Sequence, residues 1–239
     1  MGVIKSAIGD AILTSMYVFT MPFLGILTST IAGYVGVEPK SFAALFITVN
    51  LATIFILTFS LVGGALGGAS FNPLTTVVLY ASGIKSDTSL VSMAVRFPAQ
   101  AAGGVGGAKA ILEVMERKYK VMLKGPSLRV DLQTGAIAEG VMCFVFCLGL
   151  LLIRYKGPKN MMLKVWLRAW VTAGLIGVGA KYTGPSLNPA NAYGWAYLHN
   201  WHNSWEFFYV YWISPFIGAT LAAWLYRFLF QTTTKPKQP

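Results

Sequence analysis

The residues best suited to chemistry in this chain are two asparagines, each followed by proline. Ser70-Phe71-Asn72-Pro73-Leu74 and Ser186-Leu187-Asn188-Pro189-Ala190 place the pair in glycine-rich, apolar surroundings, once in each half of the 239-residue chain. Asn is a favoured helix N-cap and Pro is pre-shaped for the first helical position, so each pair starts a helix whose N–H groups and positive dipole end are exposed. Two acids, Asp10 in Gly-Asp-Ala-Ile-Leu-Thr and Glu139 in Ala-Glu-Gly-Val-Met-Cys, are the other candidates, one in each half. A carboxylate inside an apolar helix is costly and faces the bundle interior with a partner, either as a structural acceptor or as a proton relay. The structural role is the better reading, because no His or Lys within the spans sits at an obvious relay spacing. Cys143 and Cys147, one helical turn apart, are read as core packing, since two thiols alone make a poor metal set. His199 and His202 fall at an aqueous rim without an acid-base partner. No metal or cofactor is expected, and nothing supports enzymatic chemistry.

The stretches that follow the Asn-Pro pairs, 74–81 and 190–198, are apolar but too short to cross a bilayer. Two such interrupted segments at corresponding places point to half-helices meeting near the membrane midplane, where irregular backbone survives only beside a cavity. Composition agrees: 55% of residues are hydrophobic and 11% charged, against roughly 25% charged in soluble domains, and the mean hydropathy is +0.60. Apolar stretches of about 20 residues, enough to span a hydrocarbon core, recur at 7–27, 42–62, 90–112, 135–153, 162–180 and 207–230. The expected fold is therefore an all-α membrane protein with six transmembrane helices and two half-helices in an inverted repeat. It forms a single domain, 1–239, with halves of about 1–115 and 130–231 and a flexible cytosolic tail, 232–239.

The first span contains Asp10 and lacks a small-residue cleavage site, so it is read as a retained helix. Met1-Gly2 with Ser6 fits an acylation pattern only formally. The net charge of +11 would suggest nucleic acid in a soluble protein, but its distribution argues for topology instead. With both termini cytosolic, Lys5, Lys85, Arg96, the Arg154/Lys156/Lys159/Lys164 connection, Arg168, Arg227, Lys235 and Lys237 lie on or near the cytosolic side. Arg117, Lys118, Lys120, Lys124 and Arg129 fall on the other side, where Glu113, Glu116 and Asp131 offset part of their charge. Glycines at 63–68 and 103–107 have small-xxx-small spacing for close helix packing. Trp195, Tyr197, Trp201, Trp205, Tyr209, Tyr211 and Trp212 read as an interfacial aromatic belt.

Gly64-Ala65-Leu66-Gly67-Gly68-Ala69-Ser70-Phe71-Asn72-Pro73 and Tyr182-Thr183-Gly184-Pro185-Ser186-Leu187-Asn188-Pro189-Ala190, with Arg96 and the two acids, resemble the major intrinsic proteins, or aquaporins. The altered first box, Gly194-Trp195-Ala196-Tyr197 and Tyr209-Val210-Tyr211-Trp212-Ile213-Ser214 resemble the plant small basic intrinsic proteins, type 1 especially. The resemblance implies that the Asn72 and Asn188 amides project into a narrow pore and donate to one passing water. A water accepting both bonds does not readily pass a proton, and the positive helix ends repel cations. It also implies a homotetramer with a pore in each protomer, and an endoplasmic reticulum address.

The departures from the family pattern matter equally. The first box has Leu74 where most members have alanine, so the half-helix ends are expected to separate or Asn72 to tilt; Ala190 keeps the small residue in the second. The family's four filter positions carry over to Ala52, Ile176, Pro185 and Asn191, with Asn50, Leu51 or Thr53 as alternatives one or two residues from Ala52. The His and Arg of water-selective relatives are missing, and only Asn191 can still donate. These residues imply a passive channel for water and/or small neutral solutes with an atypical apolar filter, embedded in the lipid bilayer. The alternatives are a structural protein of the same fold with an occluded pore, or a proton-coupled transporter using Asp10 or Glu139.

Overall fold

Long apolar runs opened by Ser, Asn or Asp caps build the helices of the computed structural model, which describes residues 2–84 and 89–231. Lys85 and the tail with Lys235 and Lys237 lie outside the described residues. In chain order the helices are α1 (Val3–Tyr34), α2 (Phe42–Ala65), α3 (Pro73–Ala81), α4 (Leu90–Val114), α5 (Leu132–Tyr155), α6 (Met161–Gly179), α7 (Pro189–Leu198) and α8 (Trp205–Phe230). The last includes a π-helical turn, Tyr209–Ile213. Side chains of Ser41, Ser89, Asp131, Asn160 and Ser204 accept from the first-turn N–H groups of α2, α4, α5, α6 and α8. At Asp131 the bond from the Thr134 N–H holds the carboxyl below the usual carboxylate range.

Five helices, α1, α2, α5, α6 and α8, are long and apolar enough to cross a membrane. The 25 residues of α4 give ample length at about 1.5 Å per residue, yet it carries Arg96, Gln100 and Lys109. Arg96 and Gln100 are buried against other helices, so lipid never meets those polar groups. The first helix outruns the 7–27 stretch at both ends, since residues 3–6 and 28–34 continue it.

The packing has a swapped symmetry. Within the first half α1 packs on α2 and α4, and within the second α5 packs on α6 and α8. Each half-helix crosses over: α7 lies on α4, and α3 lies on α8, while α2 meets α6 between the halves. That exchange is what an inverted repeat with discontinuous helices produces.

Glycine permits the closest of these contacts. A Cβ on Gly103 or Gly107 of α4 would run into the backbone of α1 at Ala11 and Ser15, and one on Gly104 would meet the Ala190 carbonyl of α7. The second half repeats the device, with Gly218 of α8 against the Gly140 carbonyl of α5. The expected small-residue seam at 103–107 is thus a helix–helix contact, whereas the glycines at 63–68 end α2 and form the loop ahead of α3, where a Cβ on Gly63 would meet the Ala69 carbonyl and one on Gly64 or Gly68 would meet nothing. Cys143 and Cys147 are fully buried and free, in an apolar cluster with Leu74, Val78, Met142 and Leu187.

The aromatic belt is only partly a belt. Trp195, Phe207 and Tyr211 are buried, and Trp201 sits edge-on to both Phe207 and Tyr211. Phe207, Tyr211 and Trp201 fill the wedge between α7 and the π-helical turn, where a half-helix leaves volume that a full span would occupy, whereas Trp195 packs against Val18 of α1 and Ala108 and Ile111 of α4. Trp205, 62% exposed, remains at the surface.

Gly104→Leu should therefore prise α4 from α7. Overpacking a filled contact costs about 1–3 kcal/mol or more, read as a lower thermal transition and reduced monodisperse yield in detergent, whereas Gly2→Ala, with open space around it, should change neither.

Candidate functional site

Each half-helix starts at its asparagine, and the two asparagines hold each other's loops. Asn72 Oδ1 accepts from Leu74 N at 2.9 Å, and Asn188 Oδ1 accepts from Ala190 N at 3.1 Å. The amide nitrogens reach across the junction: Asn72 Nδ2 donates to the Leu187 carbonyl at 2.8 Å, and Asn188 Nδ2 donates to the Phe71 carbonyl at 2.9 Å. Each amide spends one N–H on this exchange and keeps a second. The Ser70 and Ser186 hydroxyls donate to the carbonyls of Asn72 and Asn188. Leu187 adopts φ 51°, a left-handed conformation that costs a non-glycine residue about 1–2 kcal/mol, and its carbonyl is the one that receives Asn72.

Leu74 does not separate the half-helices. The two exchange bonds are equal within 0.1 Å, because the Leu74 side chain turns away into the core cluster with Leu187, Met142 and Cys143, fully buried. Ala190 is buried against α4 at Gly104. Pro73 and Pro189 occupy the first helical positions of α3 and α7. On one side of the junction Asn72 opens onto a cavity of about 480 Å³, whose walls include Phe59, Phe71, Thr75 and Thr76.

The buried acids secure the loops that present the asparagines. Asp10 accepts from Arg96 Nε (2.7 Å) and Nη2 (2.8 Å), from Gln100 Nε2 (2.8 Å) and from the backbone N–H of Ser70 (2.8 Å). Gln100 also donates to the Ser70 carbonyl at 3.0 Å. Glu139 accepts from Thr183 Oγ1 at 2.6 Å, with the N–H groups of Leu187 and Ser186 also directed at it. Thr183 in turn receives Tyr211 Oη and Ser127 N on its carbonyl. The halves differ: Asp10 has a bidentate cation, and Glu139 has none among the described residues. Sequence reasoning placed Arg96 near the cytosolic side without seeing this pairing. Arg96 is the one arginine of the first half and Asp10 the one acid inside its apolar spans, but 86 residues separate them.

The four filter positions come from three stretches. Ala52 is half-buried on α2 and Ile176 is exposed near the end of α6; neither side chain carries a hydrogen-bonding atom. Asn50 and Thr53 instead line a separate recess with Met162 and Trp166. Pro185 is buried, its ring packed over Gly179 and close to Met142. Asn191 Nδ2 donates to Ser186 Oγ at 2.9 Å. Because that hydroxyl already donates to the Asn188 carbonyl, it accepts here, and the Asn191 amide keeps one further N–H. Its Oδ1 is buried and without a partner among the described residues. His199 caps α7, and His202 sits edge-on to Tyr193 and tilted against Tyr197.

Comparison with known proteins gives a consistent relation. The family profile described as Major intrinsic protein matches residues 1–226. Aquaporin SIP1-1 of Zea mays is 51% identical over 236 residues, covering 98% of this chain and 96% of that protein. Aquaporin SIP1-1 of Arabidopsis thaliana is 44% identical over 230 residues, covering 96% and 94%. Among solved structures, the aquaglyceroporin from Plasmodium falciparum superposes with a TM-score of 0.68 over 94% of this chain and 96% of that one, at 17% identity, a likeness of fold.

Two outcomes follow. Asp10→Asn or Arg96→Met alone leaves a buried charge without its partner and should cost about 3–5 kcal/mol. The double variant should recover part of the loss, a coupling visible in a double-mutant cycle of thermal stability; additive losses would mean the pair is not one unit. Leu74→Ala should cost about 2–5 kcal/mol as a core cavity and leave any flux per molecule unchanged, since the side chain does not stand in the path.

Proposed function

The chain belongs to the major intrinsic protein family, and from that premise we propose that it is a passive transmembrane channel for water and small neutral solutes. It is an integral membrane protein and not an enzyme. The observation that carries the reading is the reciprocal exchange between Asn72 and Asn188, which leaves each amide one N–H beside the junction of two helix N-termini. Two fixed donors at one point orient a single water, and the helix ends resist cations. The relatives' name, aquaporin, accords with this.

The selectivity assigned to Ala52, Ile176, Pro185 and Asn191 is that of a roomy, apolar constriction. With one N–H of the Asn191 amide held by Ser186, a single donor left over and no Arg or His at the other positions, little at this point rewards water over a larger hydroxylated or amide solute. A proton-coupled carrier is disfavoured by Asp10, whose oxygens are filled by Arg96, Gln100 and Ser70. The remainder of the reading is a single domain of two inverted halves, a homotetramer with one path in each protomer, an endoplasmic reticulum membrane address and cytosolic termini, supported by resemblance and by the distribution of basic residues.

Stopped-flow light scattering of proteoliposomes tests the proposal. Asn188→Ala should lower unit water permeability about tenfold, the effect of one lost hydrogen bond in a single file. Asn191→Arg should raise the ratio of water to glycerol and urea flux. Unchanged flux in Asn188→Ala, at matched protein level, removes the central asparagine from the path; an unchanged ratio in Asn191→Arg removes the filter assignment.

A further inference from the structure

The cavity beside Asn72 concentrates positive charge. The positive-inside rule accounts for cations near the cytosolic side, and Arg154, Lys164 and Arg168 follow it, but Arg168 lies deepest. It is the eighth residue of α6, about 10 Å along the helix from its first residue at ~1.5 Å per residue, and it lines the same cavity as Asn72 and Arg154. A contiguous recess of about 190 Å³ brings Arg154, Arg168 and Lys164 together with Thr75. None of the residues lining either space is acidic. The third arginine of the cavity, Arg96, is satisfied by Asp10, whereas neither the Arg154 nor the Arg168 guanidinium has a carboxylate or hydrogen-bond partner among the described residues. Lys164 Nζ donates to the Arg154 carbonyl at 2.8 Å, which ties the α5–α6 connection to the recess. Ser60 spends its hydroxyl proton on Ile56; the Thr75 hydroxyl forms no such bond among the described residues. Met161, the first residue of α6, also lines both spaces, adding the positive end of that helix.

We propose that this cavity is a binding site for a phosphate-class oxyanion, held between the Arg154 and Arg168 guanidiniums with the Thr75 hydroxyl, and that its occupancy closes the path to Asn72. Two guanidiniums at one cavity without a carboxylate partner among the described residues, one of them also over the Tyr155 ring, raise the local concentration of anions, and their planar forks match phosphate oxygens. The cavity lined by both arginines also reaches Asn72, so in the channel reading a group bound there stands on the approach to the asparagine junction. Closure rests on the channel reading above; binding does not. The oxyanion is carried either by a soluble phosphate ester or by the headgroup of an anionic lipid.

Binding is measured by calorimetry on the full chain in detergent, with inorganic pyrophosphate as the probe at physiological salt. The unaltered chain should bind it, R154Q and R168Q should each bind about tenfold more weakly, the loss of one charge-assisted contact, and R168K should retain most of the affinity. R154 is exposed, so R154Q keeps the test open should R168Q fold poorly. In phosphatidylcholine proteoliposomes, pyrophosphate should lower water flux of the parent and not of the R154Q/R168Q double variant; this supports a soluble ligand. Inhibition by a few mole per cent of a phosphoinositide, without soluble anion and lost in the same variant, supports the lipid source. No pyrophosphate binding, or equal binding by parent and double variant, overturns the site. Binding that depends on both arginines but leaves a conducting parent unaffected in both vesicle types overturns closure. A parent that conducts nothing even without anion counts against the channel reading, and calorimetry then decides the site alone.

Discussion

A helix that stops inside a bilayer exposes backbone groups that water cannot reach, and most of this architecture serves to satisfy them. The first N–H groups of α3 and α7 are met by their own asparagine carbonyls, and the carbonyls of Phe71 and Leu187 are met by the opposite asparagine's amide. Breaking one side of that exchange would leave a buried polar group unpaired, at about 1–3 kcal/mol. The arrangement is closed with respect to the protein and open by one N–H per amide. Permeation, in the proposed reading, uses what structural satisfaction leaves over.

The surrounding polar network keeps the junction in register. Asp10 grips the loop ahead of α3 through Ser70, and Glu139 grips the loop ahead of α7 through Thr183. A bidentate Arg makes the first grip a charged one, and it is buried where desolvation is severe; such pairs contribute little net stability against apolar packing but are costly to break. They therefore act as positional constraints. Glycine seams allow the same result from the outside: α4 can hold α1 on one face and α7 on another only because Gly103, Gly104 and Gly107 have no side chain.

The sequence made the repeat legible because its signals are local. Asn-Pro in two places, apolar stretches of spanning length and one acid in each half are each visible within a window of a few residues, and the halves corroborate one another. Less legible were features that depend on which face of a helix turns inward. Asp10 and Arg96 read as an isolated acid and a topogenic cation until the packing of α1 on α4 joins them. Trp195 and Tyr211 read as interfacial by type, and burial, of Trp195 against α1 and α4 and of Tyr211 beside α7, reassigns them.

What the sequence by itself determined is the inventory: an integral membrane helix bundle, two half-helices with asparagine starts, and two acids within the spans to be accounted for. Caps, hydropathy and spacing are properties of contiguous residues, so the chain carries them without folding. Only the tertiary structure decided that Leu74 turns into the core, that one N–H of Asn191 goes to Ser186, and that Arg154 and Arg168 face one cavity. Each of these depends on a side chain's direction relative to a partner supplied by a distant segment. That direction is set by how helices from the two halves interlock.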